Sequence, residues 1–193
     1  MEQLKIKDKK FKPFISTPHI ENAIRTTAAA LNEKFKYETK PVIFVAILNG
    51  AIPYATNLFM KLKFPVIFDT IKVSSYQGTS QYNLNFTKTP DNDFRGKKVI
   101  IAEDIIDTGV TIDYLKNYFK TYGAAEVTVA ALLIKREVYM KRHPEFSTWG
   151  HISGNFDDNM YIGISISDSF VVGYGLDYDG LGRNLNKIYI LDE

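Results

Sequence analysis

Three acidic residues and two threonines are concentrated in the segment VIIAEDIIDTGVT, residues 99–111. An apolar run comes first, Glu103 and Asp104 follow it, and the chain then turns into a helix that is predicted to begin near Thr111. Backbone N–H groups and hydroxyls at the N-terminus of a helix form a ready anion site. Two adjacent carboxylates can accept hydrogen bonds from sugar hydroxyls and help to bind a hard cation. The segment therefore has the chemistry that a phosphorylated ribose needs.

A simpler interpretation of this segment is an ordinary strand-to-helix turn whose acidic residues favour the helix N-terminus. That interpretation suffices for a lone Asp-Thr-Gly, because short motifs often occur by chance. It does not explain the whole segment, since three acidic residues near the end of a strand have no obvious packing role. The pattern as a whole favours a functional site.

Alternating apolar runs and amphipathic stretches predict the elements that must position this segment. Continuous, β-rich apolar runs predict strands at 41–48, 64–73, 97–102 and 126–134. Helical periodicity predicts helices at 17–36, 51–62 and 111–123. This order is typical of an α/β fold, a doubly wound and mostly parallel sheet flanked by helices with right-handed crossovers.

The ends of two predicted helices carry capping signals. Thr17 is predicted to be an N-cap, Pro18 suits the first helical position, and Glu21 favours the positive end of the helix dipole. Gly123 lies where a helix C-cap belongs. These signals support the first and third helices independently of their periodicity.

The remaining segments are predicted to cover the ligand-binding edge of the sheet. Residues 74–95 are polar with little periodicity, and a long uncovered loop of this kind is usually functional or disordered. After residue 135 the pattern weakens to short strand-like runs. We expect one domain over residues 1–193, with a core at about 37–135 and a small hood from about 1–16 and 136–193 over the carboxyl edge of the sheet.

Composition excludes several classes of protein. The chain has 193 residues, 45% of them hydrophobic, and a net charge of only +2, which gives no whole-protein field favouring nucleic acid or an anionic membrane. It has no cysteine, so disulfides and thiolate metal sites are excluded. The N-terminus lacks the apolar run of a signal peptide, and no stretch approaches transmembrane length. We therefore expect a soluble cytoplasmic protein with no membrane partner.

The acidic segment resembles the phosphoribosyl pyrophosphate signature of the type I phosphoribosyltransferases, and its Glu-Asp-Ile-Ile-Asp-Thr-Gly form resembles the hypoxanthine–guanine branch. The resemblance implies that Glu103 and Asp104 bind the ribose hydroxyls and a magnesium ion. It also implies that Asp107 is the general base or acid at the purine N7. The residues that would hold the 5′-phosphate are Asp107, Thr108, Gly109 and Thr111.

The C-terminal segment SFVVGYGLDYDGLGRNL, residues 169–185, is similar to a second signature of that family. The resemblance implies that Phe170 stacks on the base, where Val171 presents backbone groups. It further implies that Asp177 is a magnesium ligand and that Arg183 contacts pyrophosphate. The chemistry is reasonable, because aromatic faces bind flat heterocycles and a guanidinium suits a multiply charged leaving group.

Three other positions match the family. Lys135 ends a predicted strand, and the resemblance implies that it donates to the 6-oxo group of the purine. The family's pyrophosphate loop is matched by Leu48, Asn49 and Gly50. The family often has lysine at the position of Asn49. The resemblance therefore implies that the backbone contacts the ligand there, without the charge of a lysine. The residues that match the mobile active-site loop, or lid, are Ser75 and Tyr76.

One segment departs from the family. The stretch between Lys135 and Phe170 is longer than the resemblance leads us to expect, and the extra residues fall at about 138–159, which include Trp149. No role follows for this segment from its sequence.

Taken together, the resemblance implies purine salvage by magnesium-dependent transfer of the 5-phosphoribosyl group from phosphoribosyl pyrophosphate to N9 of hypoxanthine or guanine, giving IMP or GMP and pyrophosphate. It also implies a homodimer or homotetramer. One alternative is a preference for xanthine. Another is a non-catalytic regulator that binds nucleic acid through the basic N-terminal arm, which the presence of the catalytic motif residues disfavours.

Overall fold

The computed structural model of the chain describes residues 3–75, 84–146, 154–157 and 159–192. In chain order the strands are β1 (Leu4–Ile6), β2 (Lys9–Ile15), β3 (Val42–Ile47), β4 (Val66–Ser75), β5 (Leu84–Lys88), β6 (Lys98–Ile106), β7 (Glu126–Lys135), β8 (Gly154–Asp157), β9 (Met160–Ile166), β10 (Val171–Val172) and β11 (Ile188–Leu191). The helices are α1 (Thr17–Lys34), α2 (Ile52–Phe59), α3 (Val110–Thr121) and α4 (Arg136–Arg142), with a short 3₁₀ helix at Pro144–Phe146.

The main sheet has seven strands in the order β5-β4-β3-β6-β7-β9-β8. Its five central strands are parallel, and β5 and β8 are antiparallel strands at the two edges. Every residue of β3 is buried, because its alternate residues enter two different cores. One core lies under α1 and α2, and the other lies under α3 and α4. This arrangement confirms the predicted α/β class with its mostly parallel sheet.

A smaller, four-stranded sheet in the order β1-β2-β11-β10 joins the two ends of the chain. Its strands pair antiparallel, and they enclose a small core of Ile6, Phe11, Val172 and Tyr189. This sheet is the observed counterpart of the predicted hood. It brings β10, which begins at Val171, next to the main sheet.

The predicted boundary of the hood at residue 136 differs from the structure. β9 pairs in parallel with β7, in a register that runs from Val129↔Met160 to Lys135↔Ile166, and β8 extends the same sheet. The apolar side chains of β9 complete the two main cores rather than the hood core. The extra segment at about 138–159 therefore contributes the end of α4 and β8 to the main unit, whereas Trp149 lies outside the described residues. The assignment of residues 1–193 to one domain stays a prediction.

Two details at the ends of the elements also differ from the predictions. The N-cap of α1 is Ser16, and the Thr17 hydroxyl instead donates to the carbonyl oxygen of Asn186 at 2.9 Å; Glu21 lies beyond the first turn. By contrast, Gly123 follows the end of α3 with φ +91°, and its N–H donates to the Lys120 carbonyl at 3.0 Å, as a C-terminal glycine should.

The polar stretch at 74–95 is not a plain loop. β4 continues to Ser75, and β5 returns antiparallel to it, with Ser75 opposite Leu84. Residues 76–83, and with them Tyr76, lie outside the described part of the chain. In the part of the chain that the structure describes, no helix is both long and apolar enough to cross a membrane.

Candidate active site

The strand that carries the acidic pair is longer than the predicted run at 97–102. β6 continues to Ile106 because β7 offers pairing partners as far as Ile106↔Ile134. Glu103 and Asp104 are therefore strand residues, not turn residues. Glu103 is only 7% exposed, and burial raises the pKa of its carboxyl well above the usual range, with the neighbouring charge of Asp104 acting in the same direction.

The turn after β6 forms one end of a cavity of about 220 Å³. Asp107 and Thr108 lead to Gly109, which is the N-cap of α3 and has φ +84°. The first N–H groups of an α-helix have no partner within the helix, so the start of α3, which lines the cavity, suits an anion. The residues that line the cavity are Ile47, Val73, Glu103 and residues 105–112. The predicted 5′-phosphate residues are all among them.

A buried tyrosine supports this turn from α4. A Cβ added to Gly109 would lie 2.6 Å from Cε2 of Tyr139, so the ring lies directly against the glycine. His143 stacks on that ring with centroids 4.2 Å apart, and its Nε2 is 3.2 Å from a carboxylate oxygen of Asp113 in the first turn of α3. Sequence reasoning assigned no role to Tyr139 or His143. Neither residue lies in a stretch with a clear sequence pattern, because α4 has only seven residues.

Lys135 lies between two carboxylates at the end of β7. Its Nζ is 2.9 Å from Asp107 Oδ2 and 3.1 Å from Asp168 Oδ1. Its side chain is 14% exposed, and burial alone would lower the pKa of the ammonium, but the hydrogen bonds with Asp107 and Asp168 outweigh burial and raise it. The structure thus brings together Asp107 and Lys135, which the sequence placed at two different strand ends. Asp168 was not predicted.

Phe170 follows Asp168 by two residues in the sequence and belongs to a cluster of aromatic rings. It is 40% exposed, its ring is 6.3 Å from that of Phe11, and it meets Tyr178 edge-on at 5.8 Å. Lys9 Nζ is 5.0 Å from the Phe170 centroid. Val171 is buried and pairs with Ile190 in the hood sheet. Packing therefore fixes one side of the Phe170 ring and leaves part of it accessible, as base stacking requires.

The loop after β3 approaches the acidic pair closely. The Leu48–Asn49 peptide bond is cis, and the Leu48 N–H donates to the Ile71 carbonyl at 2.8 Å. A Cβ at Gly50 would overlap the carboxylate of Asp104, so any larger residue at this point would displace that side chain. The predicted pyrophosphate loop therefore lies against Asp104, one of the two predicted ribose and metal residues.

Arg183 and Asp177 are paired with each other in the hood. Arg183 Nη2 is 2.8 Å from Asp177 Oδ1, and Nη1 donates to the Gly175 carbonyl at 2.7 Å. The other Asp177 oxygen accepts the N–H of Gly180 at 2.6 Å. A Cβ at Gly175 would overlap the carbonyl oxygen of Gly50, so this hood segment packs directly on the loop after β3.

The candidate metal residues form no cage of protein ligands. Among the described residues, no group of three or more Asp, Glu or His side chains converges on a single point. The structure places Glu103 and Asp104 together but does not bring Asp177 into a cluster with them. A hard cation here would need oxygen atoms from water or a bound ligand to complete its coordination.

Comparisons with known proteins agree with this geometry. Residues 14–179 match the family model of the phosphoribosyl transferase domain. The chain is similar to the hypoxanthine-guanine phosphoribosyltransferase of Streptococcus pneumoniae, with 35% identity over 184 residues that cover 94% of this chain and 93% of the relative. It is also similar to the solved hypoxanthine phosphoribosyltransferase of Staphylococcus aureus, with a TM-score of 0.78, 28% identity, and coverage of 94% of this chain and 91% of the other.

A second solved structure carries a ligand in its description. It is a variant of the hypoxanthine phosphoribosyltransferase of Trypanosoma cruzi, complexed with the product IMP. It matches with a TM-score of 0.78 and 27% identity, covering 98% of this chain and 93% of that chain. The chain therefore belongs to the phosphoribosyltransferase family of enzymes, in its hypoxanthine–guanine branch, as the resemblance of its motifs implied.

Proposed function

We propose that this enzyme transfers the 5-phosphoribosyl group from phosphoribosyl pyrophosphate to N9 of hypoxanthine or guanine, with IMP or GMP and pyrophosphate as products. The observation that carries the proposal is the contact of 2.9 Å between Lys135 Nζ and Asp107 Oδ2 beside the anion-binding turn. A hydrogen-bond donor and an acceptor thus lie next to each other at the same end of the sheet as the 107–111 turn, where we propose that the 5′-phosphate binds.

This ion pair is complementary to one edge of a 6-oxopurine. The O6 and N7 atoms lie side by side on that edge, so the Lys135 ammonium can donate to O6 while the Asp107 carboxylate accepts the N7 proton. Adenine presents an amino group at position 6, which would set two donors against each other. The partly exposed face of Phe170 offers a stacking surface for the same base. We therefore expect 6-oxopurines to be preferred over adenine.

The residues suggest a simple transfer reaction. N9 of the base attacks C1′ of the ribose and forms the new bond, while the bond between C1′ and the pyrophosphate oxygen breaks and its electron pair leaves with pyrophosphate. The N7 proton passes to Asp107, which makes the base a better nucleophile at N9. General base catalysis of this kind is typically worth about 10²–10⁴-fold in rate. Positioning on the 107–111 turn supplies a further contribution.

Magnesium fits the donor set at the end of β6. Glu103 and Asp104 are adjacent carboxylates with hard oxygen atoms, and burial, followed by the neighbouring charge of Asp104, raises the pKa of Glu103; a cation bound here would favour the charged form. When bound, the ion would neutralise charge on the ribose-linked pyrophosphate. The family resemblance implies Asp177 as a further oxygen donor for the ion; in the structure this carboxylate is paired with Arg183 at 2.8 Å. We propose that Arg183 and the backbone of residues 48–50 bind the leaving pyrophosphate, because a guanidinium suits a multiply charged anion.

A substrate panel tests the proposal. The purified chain is given phosphoribosyl pyrophosphate, magnesium and one base at a time, namely hypoxanthine, guanine, xanthine or adenine, and nucleotide formation is followed spectrophotometrically. We expect turnover with hypoxanthine or guanine and none with adenine. Higher kcat/KM with xanthine would support the xanthine-preferring alternative. No turnover with any base would refute the proposal, and binding of nucleic acid that weakens with salt would then favour the regulator.

We further propose a homodimer or homotetramer and a cytoplasmic location. Both rest on the family resemblance and on the sequence, not on a described contact between copies. Light scattering on the purified chain would measure the mass of the assembly, and fractionation of cells would locate the protein. A monomer at all concentrations, or recovery in the membrane fraction, would contradict them.

A further inference from the structure

We infer that Asp168 is a positioning residue for base recognition, which keeps the Lys135 ammonium at the 6-oxo group while Asp107 takes up the N7 proton. The inference rests on the proposed function, because it concerns how that site handles its base. Asp168 lies in the stretch that leads to Phe170, where the sequence assigned it no role, and its place beside Lys135 follows from the geometry.

The first observation is that one ammonium is shared by two carboxylates from different turns. Asp107 comes from the turn between β6 and α3, and Asp168 comes from the turn between β9 and β10. Their oxygens lie 2.9 and 3.1 Å from Lys135 Nζ. Among the described residues, these are the two charged groups in contact with that nitrogen. The Lys135 side chain is only 14% exposed, whereas that of Asp168 is 62% exposed.

The second argument concerns the charge of Asp107 during the proposed reaction. When Asp107 accepts the N7 proton it becomes neutral, and Lys135 loses the partner that would otherwise balance its charge. A mostly buried ammonium without a carboxylate is costly, so it would tend to lose its proton or move towards solvent. Asp168 takes no part in this proton transfer, so its contact of 3.1 Å with Lys135 Nζ is not lost when Asp107 becomes neutral. It can therefore hold Lys135 charged and in place while the hydrogen bond to O6 is needed most.

The third observation is that Asp168 links two contacts of the base. It precedes Phe170 by two residues, in a tight turn where the Ser169 N–H donates to the Ser167 carbonyl at 2.8 Å and the two serine hydroxyls are 2.9 Å apart. The turn begins where Ile166 pairs with Lys135 across β9 and β7. The ion pair between Asp168 and Lys135 thus closes the end of the sheet and fixes the stacking ring relative to the donor.

Substitution of Asp168 tests the inference without disturbing the core, because the side chain is largely exposed. In Asp168→Asn we expect KM for hypoxanthine to rise about three- to tenfold, a range set by an ionic hydrogen bond that is partly screened. KM for phosphoribosyl pyrophosphate should stay unchanged. Asp168→Glu should recover part of the loss. Asp93→Asn is the matched control, since Asp93 is also an exposed carboxylate paired with a cation, Arg95, but lies far from Lys135 in the fold.

The pH dependence provides a readout that a merely structural role would not change. Asp168 contributes to the raised pKa of Lys135, so removal of its charge should lower that pKa. The alkaline limb of kcat/KM for hypoxanthine should therefore move to lower pH in Asp168→Asn and remain in place in Asp93→Asn. An unmoved alkaline limb in Asp168→Asn would contradict the inference.

A double-mutant cycle separates action through Lys135 from a direct contact with the base. The dissociation constant of IMP is measured by calorimetry for the original chain, Asp168→Asn, Lys135→Met and the double variant. If Asp168 acts through Lys135, it should have little further effect in the Lys135→Met background. Equal effects in both backgrounds would overturn the inference. A chain that is active on 6-oxopurines but indifferent to Asp168→Asn would refute this inference alone, whereas a chain with no 6-oxopurine transfer would refute the proposed function.

Discussion

The contact between Gly109 and Tyr139 leads to a specific expectation for Gly109→Ala. The new Cβ would lie 2.6 Å from Cε2 and 2.9 Å from Cδ2 of the Tyr139 ring, which is about 1 Å closer than ordinary contact between carbon atoms. The ring is 2% exposed and packed in the core under α3, so it cannot turn aside without cost. The 107–111 turn must therefore move, and with it the N–H groups that would hold the 5′-phosphate.

Two effects of this substitution can be given magnitudes. A non-glycine residue at φ +84° costs about 1–3 kcal/mol of the free energy of unfolding. Displacement of a binding group by about 1 Å can cost about 100-fold in catalysis. We therefore expect kcat/KM for phosphoribosyl pyrophosphate to fall about 100-fold in Gly109→Ala, with a smaller change in KM for hypoxanthine. Steady-state kinetics with each substrate varied in turn, together with urea denaturation, measure both effects.

Gly96→Ala is the matched control, because Gly96 has φ +68° and nothing within 4 Å of the added Cβ. It carries a comparable backbone cost without a collision, so it should lose stability and keep its kinetics. Combining Gly109→Ala with Tyr139→Leu removes the ring and should restore part of the affinity for phosphoribosyl pyrophosphate. Normal kinetics in Gly109→Ala, or losses in Gly96→Ala as large as those in Gly109→Ala, would refute the reasoning.

Two further predictions concern the base and the fold. Phe170→Ala should raise KM for hypoxanthine by about 5- to 150-fold, from a stacking contribution of about 1–3 kcal/mol, and leave KM for phosphoribosyl pyrophosphate nearly unchanged. An equal rise in both constants would contradict a stacking role. Burial opposes ionisation of Asp69, but hydrogen bonds from Asn92, Thr70 and Asp91 outweigh it and lower the pKa of Asp69 below 3.8. The stability that this carboxylate provides should be present above about pH 4 and be lost as pH falls through its folded-state pKa. The free energy of unfolding should therefore fall more steeply with acid in the original chain than in Asp69→Asn. Parallel dependence of this free energy on pH in the two proteins, measured by urea denaturation, would contradict the prediction.

The sequence indicated the parts of the fold that depend on local patterns. β3 and β7 were predicted because strands buried on both faces are apolar at nearly every position. The contact between Asp107 and Lys135 could also be predicted from the sequence, since neighbouring parallel strands end at the same edge of a sheet. The end of β6 could not be predicted, because the length of that strand depends on its pairing with β7.

The contacts that the sequence did not indicate depend on pairing between distant segments. Asp168 reaches Lys135 only because β9 lies beside β7, and the irregular stretch before β9 gave no sign of that pairing. Tyr139 lies on α4, a helix of seven residues that is too short to show a helical period. Thr17 was misassigned as a cap because its hydroxyl is engaged by Asn186, which is 169 residues away in the chain.

The most direct test of the proposed mechanism compares the original chain with Asp107→Asn in the formation of IMP from hypoxanthine and phosphoribosyl pyrophosphate. Asparagine keeps the shape of the side chain and can still contact Lys135, but it cannot accept the N7 proton. We predict that the original chain forms IMP and pyrophosphate in equal amounts, and that Asp107→Asn does so about 10²–10⁴-fold more slowly while it still binds IMP. An Asp107→Asn variant that is as fast as the original chain would contradict the role of Asp107, and an original chain that forms no IMP would contradict the function itself.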